Sequence, residues 1–254
     1  AGTQQQQQQQ QAPQRPIVVR PQPQAWPAWP LAPPAAAPMP APAEPPCRSR
    51  RKQARPGELL EAALALFVEK GFAATRVDEV AARAGVSKGT LYLYYENKEA
   101  LFKAVIQEGV IPVIAENEAI AAQHRGSSFD LMEKLLANWW IKIGQTAYAG
   151  IPKLMVAEAR NFPDLARFYY QNVINRARAL VGSALQRGME SGEFRKMDVE
   201  TTIDVVIAPI LMLLIWRYSM NCCENSEVHP ETYLQIHMDL LRHGLRGTEK
   251  ETRV

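Results

Sequence analysis

Hydroxyl-bearing and basic residues gather in one short stretch of the sequence, where two short helical patterns are separated by a glycine. Thr75 opens the first pattern and Ser87 the second, and both residue types favour helix N-termini. Gly85 suits the turn between them because glycine adopts left-handed backbone conformations. Helix N-termini carrying such side chains bind phosphates and base edges. The stretch therefore predicts a helix-turn-helix, with helices over residues 75–84 and 87–95.

The charge of the chain is unevenly placed around this stretch. The 254 residues carry a net charge of +3. Residues 48–103 alone carry +4, with eleven Lys and Arg against seven Asp and Glu, and the rest of the chain is slightly negative. A compact basic segment joined to a slightly acidic body indicates a local polyanion site. Composition excludes collagen-like and disulfide-framework proteins. The longest apolar stretch, residues 205–216, is shorter than the roughly 20 residues that cross a bilayer, so we expect no membrane association.

The sequence divides into three regions. Residues 1–55 form a Pro/Gln/Ala-rich tail with a basic end, and residues 1–46 hold thirteen of the nineteen prolines. Proline and polar repeats predict disorder, with Trp26 and Trp29 either a docking motif or part of an unselected tail. Residues 56–102 form the predicted DNA-binding domain. Residues 103–254 form a second predicted domain.

The pattern from residue 56 onward is helical throughout, which predicts an all-α fold. Apolar residues recur at helical spacing, and prolines stand at helix starts. A long helix is predicted to begin at Lys98, capped by Asn97, and to bend near Pro112. Five more helices are predicted over residues 128–148, 152–161, 164–190, 198–221 and 231–245.

Residues 57–102 resemble the DNA-binding domain of the tetracycline-repressor (TetR) family of bacterial regulators. The resemblance is carried by LALFVEKGFAATR at 64–76, VAARAGVSKGTLY at 80–92 and YYENKEAL at 94–101, in order and at matching spacing. It implies a ligand-responsive, sequence-specific transcriptional regulator. The sequence departs from the commonest pattern of the family at Leu93 and Tyr94, and a leucine there offers DNA only apolar contact.

The resemblance assigns DNA contacts by position. The third helix is implied to lie in the major groove, with the second helix and the start of the fourth on flanking phosphates. Thr75 and Arg76 would touch phosphate and a base, whereas Tyr94 and Lys98 would hold phosphates. The remaining implied contacts to DNA are Ser87, Lys88, Gly89, Thr90 and Tyr92.

The family plan also implies that residues 103–254 form an effector-binding and dimerisation domain. The homodimer would bind a palindromic operator and leave it when a small-molecule effector binds. The apolar helix 198–221 and its neighbour 231–245 are the predicted dimerisation helices, because a helix apolar on so much of its circumference must be buried on several sides. Aromatic and methionine side chains in the middle of the chain favour an apolar or aromatic effector, although they also fill ordinary cores. The predicted pocket residues are Trp139, Trp140, Tyr148, Met155, Phe162 and Tyr169.

Other functions have weaker support in the sequence. Cys222 and Cys223 stand near three histidines, but adjacent cysteines lack the usual chelate spacing, so no metal or cofactor is predicted. A thiol-based redox response stays open. An all-α enzyme lacks a recognisable catalytic constellation, and Glu158 with Arg160 is read as a surface ion pair. An activator on the same fold is equally compatible. An odd number of cysteines and the absence of a signal-peptide pattern predict a cytoplasmic protein.

Overall fold

The computed structural model describes residues 56–220 and 229–247, most of which are helical. In these two ranges no strand occurs, and Phe194 and Arg246 form an isolated antiparallel bridge. The all-α fold, with a helix-turn-helix followed by a helical body, is confirmed, whereas the tail and its basic end lie outside the described residues. In chain order the helices are α1 Pro56–Lys70, α2 Val77–Arg83, α3 Lys88–Tyr92, α4 Lys98–Gly109, α5 Ile111–Gln123, α6 Ser128–Trp139, α7 Ile151–Glu158, α8 Pro163–Tyr169, α9 Asn175–Glu190, α10 Val199–Ser219 and α11 Pro230–Leu245.

Three phenylalanines hold the first four helices together. Phe67 on α1, Phe72 in the loop after it and Phe102 on α4 are fully buried, and their ring centroids lie 5.4–5.6 Å apart. Leu91 on α3 and Val80 on α2 join the same core. A helix of five residues is not stable alone in water. The short α3 is therefore held in place by this packing and by its cap.

The turn between α2 and α3 depends on one glycine. Gly85 has a φ of +72°, in the left-handed region, and no atom lies within 4 Å of the place where a Cβ would stand. The chain then returns through a hydrogen bond from the Val86 N–H to the Ala81 carbonyl at 2.9 Å. Ser87 caps α3, because its Oγ accepts from the Thr90 N–H at 3.0 Å. The predicted turn residue and cap are both confirmed.

Several predicted helix bounds are wrong. In the predicted helix 128–148, the α-helical part ends at Trp139. A π-helical turn follows over Trp140–Gly144, and a 3₁₀ turn follows over Ala147–Gly150. The predicted helix 164–190 is likewise interrupted by a π-helical turn over Tyr170–Ile174. The spacing of apolar residues does not reveal a turn that inserts one residue into a helix.

The predicted long helix is interrupted by a single residue near Pro112. Helix α4 ends at Gly109 and α5 begins at Ile111, with Val110 between them. Pro112 lies in the first turn of α5, where the N–H that proline lacks has no helical partner to lose. The side chain of Tyr148 packs against Gly109, since a Cβ there would stand 2.0 Å from its ring. The body therefore touches α4 at the point where that helix ends.

Side chains of α11 satisfy carbonyl groups of α10 around its internal proline. The Tyr233 hydroxyl donates to the Pro209 carbonyl at 3.0 Å, and Nε2 of His237 lies 2.9 Å from the Val206 carbonyl. Burial lowers the pKa of His237, which favours the neutral ring. Because this imidazole serves a core hydrogen bond, it is not placed as a metal ligand. Within the described residues no group of three or more His, Cys, Asp or Glu could hold a metal, and Cys222 and Cys223 lie outside them.

Helix α10 leaves an apolar face uncovered in the single chain. By length and composition it is the one helix, among the residues described, that could cross a membrane, which is weak evidence because core helices pass the same test. Val205, Met212 and Trp216 are spaced to share one face, and 61%, 54% and 43% of each is exposed. On α11, Ile236 and Leu240 are 56% and 66% exposed. A surface of this kind marks an interaction site.

Because the turn at Gly85 is left-handed, substitution by alanine should change the free energy of unfolding in opposite directions at two glycines. Gly85→Ala should lower the free energy of unfolding by about 1 kcal/mol, because an L side chain strains this backbone conformation. Gly57→Ala, in the first turn of α1 with open space around it, should raise it by about 0.5 kcal/mol. Denaturant unfolding of both variants measures the two values. A loss of stability at both positions would show that the effect at Gly85 is not conformational.

Candidate nucleic-acid interface

The exposed face of α3 and the turn after it carries the side chains predicted to read DNA. Lys88 and Gly89 are exposed, and Tyr92 and Tyr94 are each 45% exposed. Leu93 is 85% exposed, which places an apolar side chain on the same surface. Leu91 is fully buried between them and fixes which side of α3 faces outward. The structure therefore presents the predicted readers on one surface.

Two of the residues predicted to contact DNA are hydrogen-bonded to each other. The hydroxyls of Ser87 and Thr90 lie 2.8 Å apart, in addition to the capping bond. The ammonium of Lys88 lies 5.9 Å from the centroid of the Tyr92 ring, within the range of a cation–π contact. These contacts restrict the rotamers of the side chains before any DNA binds.

Arg76 stands at the N-terminus of α2 and is the N-cap residue. Its guanidinium donates to both carboxylate oxygens of Asp78, at 3.2 and 3.1 Å, and its side chain is 72% exposed. The bonds from Arg76 lower the pKa of Asp78, whose carboxylate is therefore the favoured form. An exposed pair of this kind opens at little cost, so Arg76 can exchange Asp78 for a phosphate.

The predicted N-cap role of Thr75 is wrong. The residue is only 2% exposed, and its hydroxyl donates to the carbonyls of Leu66 and Gly71, at 3.1 and 2.7 Å. Helix α2 begins at Val77, two residues later than predicted. Thr75 does not cap this helix, because its hydroxyl binds carbonyls at the end of α1 instead.

Lys98, which the resemblance places on a phosphate, is hydrogen-bonded within the protein. Its Nζ donates to the carbonyls of Phe72, Ala73 and Thr75, at 2.7, 3.0 and 3.0 Å. An ammonium group has three N–H donors, so all of them are taken. Burial lowers the pKa of Lys98, and the ammonium also lies 4.7 Å from the centroid of the Phe72 ring. Lys98 therefore positions the loop between α1 and α2.

The same loop is also bound by a carboxylate of the body, that of Glu158, which the sequence predicted to pair with Arg160. Oε1 of Glu158, at the end of α7, accepts the backbone N–H of Ala73 at 3.0 Å, and Oε2 accepts from Asn161 at 3.2 Å. No ion pair joins Glu158 to Arg160 among the described contacts, so that interpretation is wrong. The contact spans 85 residues of sequence, and no spacing or motif could have revealed it. We call the set formed by Lys98, Glu158, Phe162 and the loop 71–76 the junction.

The residues predicted to line an effector pocket are core and junction residues in this structure. Trp140, Met155 and Tyr169 are buried, and Trp139, Tyr148 and Phe162 are partly buried. The Phe162 ring packs edge-on against Phe72, with centroids 4.6 Å apart. The buried Nε1–H of Trp140 has no acceptor within the described part of the chain. Burial raises the pKa of Tyr169, whose hydroxyl stays protonated.

Two family profiles match the chain. "Bacterial regulatory proteins, tetR family" matches residues 59–105, which contain the helix-turn-helix and the start of α4. "Tetracyclin repressor-like, C-terminal domain" matches residues 125–219, which begin before α6 and end with α10. Together the two profiles account for both parts of the described fold.

Individual relatives agree with the profiles. The HTH-type transcriptional repressor KstR2 of Rhodococcus jostii is 29% identical over 190 residues, 74% of this chain and 91% of the relative. The uncharacterized HTH-type transcriptional regulator YdeS of Bacillus subtilis is 28% identical over 158 residues, 62% of this chain and 76% of the relative. The transcriptional regulator FadR of Bacillus subtilis, solved with stearoyl-CoA, shares the fold at a TM-score of 0.62 and 19% identity, over 76% of this chain and all of that one.

The hydrogen bonds of Lys98 predict a difference between two lysines of the DNA-binding unit. Lys98→Met should lower the free energy of unfolding by about 2 kcal/mol, because three carbonyls lose a charged donor. Lys70→Met should have a much smaller effect, since Lys70 forms an exposed ion pair with Glu79. Urea unfolding of both variants measures the difference. Equal losses would contradict a positioning role for Lys98.

Proposed function

Because the chain belongs to the tetR family of bacterial regulatory proteins, we propose that it is a repressor that leaves a palindromic operator when it binds a small apolar molecule. It is a DNA-binding transcriptional regulator. The observation that carries the proposal is the outward face of α3, on which exposed polar and aromatic side chains surround a capped helix N-terminus. Since DNA is its target, the cytoplasm is the proposed location.

The proposed contacts to DNA differ from those that the sequence alone assigned. Lys88, Gly89 and Tyr92 face base edges, because they lie exposed on α3. Ser87 and Thr90 offer hydroxyls at the N-terminus of the same helix. Arg76 and Tyr94 contact phosphates on either side of the groove. Thr75 and Lys98 support these groups from within and are left out of the interface.

We propose a homodimer built on the uncovered face of α10 and α11. The occupant of this face is a second copy of the chain, because a palindromic operator requires a two-fold protein whose recognition helices stand about 34 Å apart. Apolar side chains of the uncovered face would pack against their equivalents in the partner. This dimer would explain why α10 is apolar around so much of its circumference, since one side packs within its own chain and the other against the partner.

The proposed effector is a small apolar or aromatic molecule held by the body. FadR of Bacillus subtilis was solved with stearoyl-CoA, which supports an apolar ligand for this body without identifying one. The signal would pass through the junction, since Glu158 and Phe162 belong to the body and hold the loop that leads to α2. Movement at the end of α7 would then shift α2 and α3 relative to the partner subunit. An effector acts in this way only by favouring one of two conformations.

Selection from random duplex DNA tests the proposed contacts to DNA. The wild-type protein should recover an inverted repeat. Lys88→Ala and Tyr92→Ala should each weaken binding to that repeat by about tenfold and change the preferred base, because these side chains contact bases. Arg76→Ala should weaken binding to all sequences alike, since a phosphate contact carries no base information. Recovery of only salt-sensitive, non-selective binding by the wild type would overturn the proposed function.

The proposed dimer face is tested by adding charge to it. Ile236→Glu combined with Leu240→Glu should give a monomer by analytical ultracentrifugation and should abolish binding to the inverted repeat, because buried like charges oppose association. Val156→Glu on α7 is the control, since Val156 is also apolar and 69% exposed but lies outside that face. A dimer that survives the double substitution would place the interface elsewhere.

A further inference from the structure

An aliphatic side chain stands on the surface that is proposed to read DNA. Leu93, directly after α3, is 85% exposed, the largest exposed fraction among the large apolar side chains that the structure describes. Between residues 56 and 109, all of them described, the exposed large apolar side chains are three consecutive ones, Tyr92, Leu93 and Tyr94. Exposed apolar residues that are scattered singly are ordinary, but a contiguous group marks an interaction site. The contacts proposed above use both tyrosines and leave Leu93 without a role.

The backbone at Leu93 continues the geometry of α3 and so fixes where the leucine points. Its N–H donates to the carbonyls of Gly89 and Thr90, at 3.2 and 3.3 Å, and its φ of −69° and ψ of −24° are helical. Leu91, two positions earlier, is fully buried. Because two helical positions differ by about 200° around the axis, Leu93 projects away from the core on the outward face of α3.

A glycine leaves the helix surface open beside this leucine. Gly89 stands one turn before Leu93 on the same side of the helix, and it is exposed. Outside its chain neighbours and the helix backbone, the atom nearest to the place of a Cβ is Oγ of Ser87, at 3.8 Å. Helical side chains lean toward the N-terminus, so the leucine leans toward this bare backbone. A base edge can therefore approach α3 closely here and meet the leucine at its side.

The chemistry of leucine restricts what it can recognise in a duplex. Its side chain has no hydrogen-bond donor or acceptor, so it distinguishes bases only through apolar contact. In the major groove the base edges present donors and acceptors, and the apolar group among them is the C5-methyl of thymine. Packing the leucine on a polar edge would remove water from that edge without replacing its hydrogen bonds, which is unfavourable. Thymine is therefore the base that complements Leu93.

We propose that Leu93 selects a thymine in each half of the operator by packing on its C5-methyl group. This inference rests on the proposed function and names a base that the recognition surface reads. Burial of one methyl-sized group contributes a factor of about four in affinity. Because a symmetric dimer makes the contact twice, the two methyl groups together contribute a factor of about fifteen.

The experiment removes the methyl group from the DNA and the leucine from the full-length protein. The inverted repeat that the wild type selects is synthesised unmodified and with each symmetric pair of thymines replaced in turn by uracil. Uracil pairs with adenine and keeps the O4 acceptor of thymine, and it lacks only the methyl group. Fluorescence anisotropy at one salt concentration measures the affinity of the wild type, Leu93→Ala and Val156→Ala for every duplex. Val156→Ala is the matched control, since Val156 is apolar and 69% exposed but lies on α7 in the body.

At one symmetric pair of thymines, uracil should weaken binding of the wild type and of Val156→Ala by about fifteenfold. Leu93→Ala should bind the unmodified repeat at least about tenfold more weakly than the wild type and should not distinguish thymine from uracil at that pair. Since Leu93 is exposed, this variant should keep the melting temperature of the wild type, which thermal unfolding checks.

The outcomes separate this inference from the proposed function on which it rests. If the wild type selects no inverted repeat, both are overturned. If it selects a repeat and the effect of uracil depends on Leu93 at no pair of thymines, this inference alone is overturned. A Leu93→Ala variant that loses the same factor on thymine and uracil duplexes has this meaning, because the leucine would then contact DNA without reading the methyl group.

Discussion

The arrangement of the DNA-binding unit depends on one partly buried cation. The ammonium of Lys98, at the start of α4, donates to three carbonyls of the loop that leads from α1 to α2. Those carbonyls follow the end of α1 and would otherwise need hydrogen bonds from water. The cost of removing the ammonium from water is offset only if all three of its hydrogen bonds form. The loop and α4 are thereby held in one geometry. The position of α2, and through the turn at Gly85 that of α3, follows from it.

The loop that Lys98 holds is also the place where the body meets the DNA-binding unit. Glu158 accepts the Ala73 N–H, and Phe162 packs on Phe72, which itself lies under the ammonium of Lys98. A carboxylate, an ammonium and a pair of rings from distant parts of the sequence therefore share one small volume. Because packed interiors transmit displacement with little compression, we propose this junction, rather than the interruption near Pro112, as the route between the two parts.

Charge and apolar surface are divided between different parts of the chain. The helix-turn-helix uses its cations to hold itself together, which leaves its readers polar and aromatic but leaves little positive charge for a phosphate backbone. The body buries most of its aromatic side chains at least partly and leaves an apolar face on α10 and α11 exposed. The uncovered apolar face is the surface on which we propose that a second subunit packs.

The sequence by itself determined the local features: the all-α class, the turn at Gly85, the cap at Ser87 and the outward-facing polar and aromatic side chains of α3. Each depends on interactions within a few residues, so residue type and spacing are sufficient to predict it. The sequence could not show that Lys98 and Glu158 bind the loop between α1 and α2, because these contacts join residues 23–85 positions apart. Nor could aromatic spacing separate a pocket from a core, since both need the same side chains. Tertiary structure decided these questions, because the burial and hydrogen bonding of a polar side chain depend on which distant segments pack around it.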